Sequence, residues 1–358
     1  MNTGPAEAFP VGEHLLEELD ARGWSQAEFA EIIGRPAQVV SEIISGKKEI
    51  TRESAAQISA ALGTSPEYWL RYQDQYHLWR QEQDEGARRK LDDVRLRARL
   101  TELAPLAVLR KRGIVTATTL GGQADQLCRL LNIDHIGEQP KLPMAARRSN
   151  LGDQASSTQL TWLACVRRQA ESQTVSVYSP IRLRGLAERL SRDLQNPQAF
   201  ADLPGRFADV GVRLVYVEAF PSSKIDGAAF SMGGTPVIGI SGRGQRLDKV
   251  LFTILHEVAH VVLDHITDTV ILDEENGNGR HQEKDANELA AKWVLPSPIP
   301  AIPERVGRTW LTAVAKKLGV HPIIIVGRLQ NDGLLNWRSA LAKNAPTVTS
   351  YLQDWENR

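Results

Sequence analysis

The pentapeptide His256-Glu257-Val258-Ala259-His260 constrains the fold of this chain more than any other stretch. Residues four apart share one face of an α-helix, so both imidazoles can reach a single zinc ion. Glu257 then stands beside them, placed to accept a proton from the water that such an ion activates. The flanks Val250–Leu255 and Val261-Val262-Leu263 are apolar, so this helix, expected from about Arg246 to His265, belongs inside a core. An open tetrahedral zinc site needs a third protein ligand. The next helical pattern, Gln282–Leu295, offers Glu283, with Asn287 one turn later on the same face; Asp285 and His281 compete for the role. His265 falls five residues after His260, which is the wrong interval for a third histidine ligand, and reads as an outer or surface residue.

The chain has 358 residues, enough for two or more folding units. Forty-three basic and 43 acidic side chains cancel, which excludes gripping nucleic acid or an acidic membrane by bulk charge. Two cysteines, Cys128 and Cys165, exclude a disulfide framework. The first residues carry no basic start followed by an apolar run, and runs such as Pro322–Val326 are too short to span a bilayer. A cytoplasmic protein without a membrane segment is therefore expected.

Texture divides the chain into residues 1–78, 79–153 and 154–358. The middle stretch combines many arginines with Leu91, Leu96, Leu100 and Leu103 at helical spacing. It reads as an amphipathic connector helix that breaks near Pro105 and leads into the loop-like Ile136–Asp153. In the last stretch, Val212–Val217, Gly227–Ser231 and Pro236–Ile240 read as strands, with Gly233-Gly234 as a tight hairpin turn. Pro236–Ile240 is also expected to pair with an extended substrate segment by strand addition. Leu311–Leu318 and Ile323–Leu329 form a helix-turn-helix shape read as a packing element, with His321 as a cap or surface residue. Cys128 is expected to be buried. The fold class is α+β, mostly α: a helical N-terminal bundle, then a small mixed sheet packed on the metal-binding helices.

In the N-terminal stretch, Ser25 can cap a helix and Glu28 can close its capping box. Phe29, Ala30, Ile32 and Ile33 offer a buried face. Gly34 and Pro36 punctuate the start of a second helix that buries Val40, Ile43 and Ile44. This is the layout of a helix-turn-helix whose second helix enters the major groove. The stretches Ser25–Ala30, Val40–Thr51 and Ala61–Leu70 resemble the XRE-type, lambda-repressor-like domains, and more closely their HigA-type antitoxin branch. The resemblance implies binding of double-stranded operator DNA as a homodimer. It places Gln38, Val39 and Ser41 nearest the bases, and Gln26, Lys47 and Lys48 near phosphates. Against this, residues 1–70 hold five basic and eleven acidic side chains, a net of −6. Phosphate neutralisation supplies most nonspecific affinity, so the module alone should bind weakly.

Farther along, Asp226–Phe230, Pro236–Ser241, Leu255–His260 and Glu283–Ala290 with Leu295-Pro296 resemble the ImmA/IrrE family of zinc metallo-endopeptidases. That resemblance implies a gluzincin-like domain, with His256, His260 and Glu283 on zinc and Glu257 as the catalytic base. Asp285 stands where the family usually carries Glu. Family members cut repressor proteins, often of the XRE type. The expectation is a regulator that cleaves a repressor or antitoxin-type protein in a stress-response, mobile-element or toxin–antitoxin circuit. The alternative is a HigA-like antitoxin or repressor whose protease-like domain binds a partner without proteolysis.

Overall fold

The structure is a computed structural model that describes residues 7–140, 145–146, 156–266 and 278–356. Met1–Ala6 lies outside these residues, as does most of the expected loop 136–153 beyond Pro140. The chain forms two compact units, Met1–Arg97 and Ala98–Arg358, each described by itself.

The first unit consists of α1 (Val11–Arg22), α2 (Gln26–Ile32), α3 (Ala37–Ile44), α4 (Arg52–Leu62), α5 (Pro66–Gln83) and the first turns of α6 (Glu85–Leu103). The capping box at Ser25 is formed: the Glu28 N–H donates to Ser25 Oγ at 3.2 Å, and Glu28 Oε2 accepts the Ser25 N–H at 2.8 Å. Gly34, at φ +66°, turns the chain toward Pro36, which caps α3. The core gathers Leu15, Leu19, Phe29, Val40, Ile43, Ile58 and Trp69. Gly12 has no room for a side chain, because a Cβ there would lie 2.2 Å from the Ile44 carbonyl oxygen; α1 thus presses on the end of α3. Ile32 departs from its expected burial and is half exposed. Around the helix, the core-facing Ala30 lies about 160° from it and Ile33 about 100°. Ile44 is only half-buried.

The connector helix differs from expectation too. Leu91 and Val94 are exposed, and only Leu100 and Leu103 of the leucine stripe are buried. The arginines meet acids on their own helix: Arg89 with Glu85, Arg95 with Asp92, Arg97 with Asp93 and Arg99 with Glu102. Such pairs, three or four residues apart, support a helix without a packing partner along its whole length.

The second unit continues with α7 (Leu106–Lys111), α8 (Leu120–Leu131), β1 (Ala145–Ala146), α9 (Ser157–Glu171), α10 (Pro180–Asp193) and α11 (Leu203–Asp209). Then come β2 (Arg213–Tyr216), β3 (Gly227–Met232), β4 (Thr235–Ile240), α12 (Leu247–Val262), α13 (Asn278–Val294), α14 (Arg308–Leu318), α15 (Pro322–Asn331) and α16 (Thr349–Glu356). The sheet order is β1-β3-β4-β2, with β2 parallel to β4 and the other pairs antiparallel. Gly233 and Gly234 both take positive φ, +59° and +77°, as a two-residue hairpin turn requires.

Both faces of this sheet are covered. On one, Gly239 lets α9 come close: a Cβ there would meet Val166 and Trp162, and Trp162 Nε1 donates to the Val217 carbonyl at 2.8 Å. On the other, Ala229, Ile238 and Ile240 join Leu251, Ile254, Leu255 and Val258 of α12 in the main core. The strand Pro236–Ile240 therefore cannot receive a substrate. It is central, bonded on one side to β3 and on the other to β2, so its backbone groups are already used. The strand beside the helix α12 that is not flanked by two long neighbours is β3.

Leu311, Val314 and Ile323–Val326 are buried in the same core, so α14 and α15 pack as expected. His321 caps α15, its Nδ1 accepting the Ile323 N–H at 3.1 Å. Cys128 is half-buried, one position off the α8 face formed by Leu127, Leu130 and Leu131; Cys165 is the buried cysteine. Among the described residues, no single helix is long and apolar enough to cross a membrane.

Candidate metal centre

The two histidines and Glu257 owe their position to α12, a helix buried over most of its length. His256 and His260 point toward α13, and their Nε2 atoms lie 3.0 Å apart. Glu283 completes a triangle: its Oε2 is 3.4 Å from His256 Nε2 and its Oε1 is 3.4 Å from His260 Nε2. Ligands at about 2.0–2.1 Å on the corners of a tetrahedron stand about 3.3 Å apart. The three side chains therefore have the spacing and the donor chemistry to hold a metal ion.

Helix periodicity explains why Glu283 is the carboxylate at this point. Ala286, Ala290, Trp293 and Val294 form the buried stripe of α13, and Glu283 falls on that stripe. Asp285 and His281 project from the opposite side and are exposed; Asn287 sits beside the stripe, half-buried. The small side chains at 286 and 290 allow α13 to approach α12 closely. Burial pushes the Glu283 carboxyl up, but hydrogen bonds to His256 and His260, and their charge, outweigh it and hold the group well below the usual carboxylate range.

His265 supports the centre from outside. Its Nδ1 lies 3.2 Å from His260 Nδ1, leaving His260 Nε2 for the ligand position, the arrangement by which metal-binding histidines are oriented. Burial, then neighbouring His260, lowers the pKa of His265 against the opposite pull of Asp285, Glu283 and Asp264.

Glu257 is fully buried on a different side of α12, where Thr253 and β3 enclose it. Gly227 begins β3 directly over its carboxylate: a Cβ at Gly227 would lie 2.8 Å from Glu257 Oε1 and 2.8 Å from Thr253 Cγ2. Only a glycine lets the strand pass this close. The site role of Gly227 was not read from the sequence, although a glycine within a strand signals close backbone approach. Tyr216 is buried beside Gly242, and Arg243 pairs with Asp226 at 3.4 Å.

The residues expected at DNA lie around α3. Gln38 and Ser41 are exposed, whereas Val39 is half-buried and packs against the core. Gln26 is half-buried at the start of α2, and Lys47 and Lys48 are exposed beyond the end of α3. The backbone N–H groups of both lysines donate to the Glu42 carbonyl, at 2.8 and 3.0 Å. Gln38 Nε2 donates to Glu42 Oε1 at 2.9 Å, so this exposed amide is held by an acid.

Residues 15–69 match the helix-turn-helix family model, and residues 208–330 match that of the IrrE N-terminal-like domain, an M78-type peptidase family. An uncharacterized HTH-type transcriptional regulator of Escherichia coli (strain K12), YddM, is 31% identical over 91 residues, which is 25% of this chain and 90% of that protein. Antitoxin HigA-1 of Vibrio cholerae is 39% identical over 70 residues, 19% of this chain and 66% of that protein. A solved addiction-module antidote protein of the HigA family from Coxiella burnetii is 33% identical, covering 20% of this chain and 79% of its own, with a TM-score of 0.20. By the match to the helix-turn-helix regulators and the peptidase domain that follows, the chain belongs to the XRE-type helix-turn-helix regulators and carries an IrrE/ImmA-type domain behind that module.

Proposed function

We propose that the chain is a cytoplasmic, homodimeric DNA-binding regulator whose second unit is a zinc-dependent endopeptidase that cuts a repressor or antitoxin-type protein. One observation carries the reading: three donors at tetrahedral spacing, His256, His260 and Glu283, stand beside a fully buried glutamate. When bound, zinc supplies a Lewis acid for a peptide carbonyl and a water of lowered pKa. Glu257 takes the proton of the attacking water and delivers it to the departing amine; its enclosure by Thr253 and Gly227 fixes where that proton is held. His265 orients His260. An extended peptide substrate pairs with β3, the strand that passes over Glu257. The test is co-expression of the chain with each neighbouring gene product, unaltered and as Glu257→Gln. A protein shortened only beside the unaltered chain identifies the substrate. Absence of any such protein, together with purified material free of metal, rejects the peptidase.

For the first unit, Gln38, Val39 and Ser41 are proposed to face the bases, with Gln26, Lys47 and Lys48 near phosphates. Glu42 opposes them electrostatically while accepting from Gln38. Glu42→Gln keeps an acceptor for Gln38 and removes one negative charge. Affinity for duplex DNA is expected to rise several-fold, with the slope of log K against log salt steeper by about one. Fluorescence anisotropy across a salt series checks this; weaker binding confined to sites with cytosine would instead make Glu42 a base reader.

A further inference from the structure

Charge is divided unequally between the two units. Residues 1–97 hold twelve basic and seventeen acidic side chains, so their net of −5 leaves +5 on residues 98–358. Lys and Arg on phosphates supply most of the nonspecific affinity of a DNA-binding protein, and the unit that carries the helix-turn-helix is short of them. In the second unit, part of the basic excess is gathered on α10. The inner side of this helix, Leu183, Leu186, Ala187 and Leu190, belongs to the main core. On its outer side Arg182, Arg189 and Arg192 are exposed and fall within about 80° of one another around the axis. At the helical rise the row is about 15 Å long, which matches about four phosphate steps of one DNA strand.

Two features set this row apart from the other arginines of the chain. On α6, Arg89, Arg95, Arg97 and Arg99 each pair with an acid of their own helix. Among the described residues, Arg182, Arg184, Arg189 and Arg192 of α10 have no acidic partner. Asp193 is taken by Arg206, which leaves Glu188 as the one opposing acid on α10. The exposed Lys316 and Lys317 close α14, a helix with no acidic residue. Its cap Gly319 adjoins α10, since a Cβ there would lie 3.9 Å from Arg192 Cγ. The second feature is Gly185, which falls inside the arc of the three arginines, where a Cβ would meet only open space. Glycine is a poor residue for a helix interior, and no neighbour within the chain approaches it. What a bare backbone at this point allows is close approach from outside.

We propose that the outer side of α10, together with the end of α14, is a phosphate-binding surface for duplex DNA, through which the second unit supplies contacts that the acidic first unit lacks. A guanidinium offers a phosphate two parallel N–H donors, and one without an acidic partner breaks no ion pair to do so. Phosphate contacts carry no sequence information, so this surface raises affinity for any duplex and leaves base reading to α3.

The proposal rests on the reading of the chain as a DNA-binding regulator, and its test separates the two. The protein is the full-length chain, and the probe is a fluorescein-labelled duplex of mixed sequence, about three helical turns long. Anisotropy is followed between about 50 and 200 mM salt for the unaltered chain and three variants: Arg182→Gln/Arg189→Gln/Arg192→Gln, Gly185→Glu and Lys47→Gln/Lys48→Gln. The arginine variant is expected to bind at least about tenfold more weakly, with the slope of log K against log salt shallower by about two to three. Gly185→Glu favours the helix and puts a negative charge among the arginines, so it should weaken binding without unfolding α10. Unchanged affinity and slope in both α10 variants overturn the proposal, whatever the lysine variant does. The lysine variant tests the first unit by itself: if it alone binds as the unaltered chain does, the phosphate contacts proposed there fail and the α10 result stands. Labelled poly-L-glutamate covers an acidic protein as the occupant. Variants of α10 that lose this polymer but keep the duplex overturn the proposal and give the row, with the exposed Ile181 beside it, to an acidic protein segment.

Discussion

Glu257→Gln is expected to abolish hydrolysis of the protein substrate while leaving metal content unchanged. A positioned general base contributes on the order of 10²–10⁴ in rate, and glutamine is nearly isosteric but cannot accept the proton. Glu257 is fully buried between Thr253 and Gly227, so the substitution replaces a buried carboxylate with an amide of the same shape and does not open a cavity. Its own distance to the ligand triangle is set by α12, which the substitution does not alter. The measurement is single-turnover cleavage of the substrate found by co-expression, alongside zinc per chain by elemental analysis. Cleavage at more than about a tenth of the original rate would remove Glu257 from the proton transfer. Loss of metal together with activity would make it a structural support of the ligands instead.

The second large effect concerns the carboxylate ligand. Glu283→Ala leaves two imidazoles whose Nε2 atoms stand 3.0 Å apart and no third donor within reach among the described residues. Its zinc affinity is expected to fall by more than the roughly 10- to 100-fold that loss of an outer hydrogen-bond partner causes. His265→Ala, which removes only the bond to His260 Nδ1, supplies that smaller reference effect. Asp285→Ala should leave affinity unchanged, because Asp285 faces away from the centre and is exposed. Competition with a chromogenic chelator ranks the three variants. An Asp285→Ala loss as large as that of Glu283→Ala would reverse the assignment of the third ligand.

The sequence shows some of these features and hides others, for physical reasons. The His256–His260 interval is local, fixed by the 3.6-residue turn, and so is the capping box at Ser25; both are readable without tertiary information. The choice of Glu283 over Asp285 was open from the motif alone, yet the Ala286, Ala290, Trp293 and Val294 stripe that faces α12 places 283 on the inner side. The position of β4 was misread because strand order arises from a long-range crossover, here the parallel pairing of β2 with β4. A signal was present: β4 is buried at five of its six residues, the continuous burial of a strand covered on both faces. In α6 the leucine spacing suggested a packed face, but charge pairs along the helix remove the need for one. The close pass of β3 over Glu257 depends on two elements meeting in space, and the glycine at 227 is its one local trace.

His260 and Glu283 stand 23 positions apart in the chain, yet they meet at one point, and this makes the centre a device of folding as much as of chemistry. An ion held there ties α12 to α13 and shuts the intervening loop, a constraint the unfolded chain does not share. Ligand linkage then sets the scale: free zinc at a hundred times its dissociation constant stabilises the second unit by about 2.7 kcal/mol. The melting temperature of that unit should therefore rise with free zinc in a calorimetric titration and drop on chelation, while that of the first unit stays fixed. The amount of intact second unit in a cell would then follow zinc supply before any partner is met.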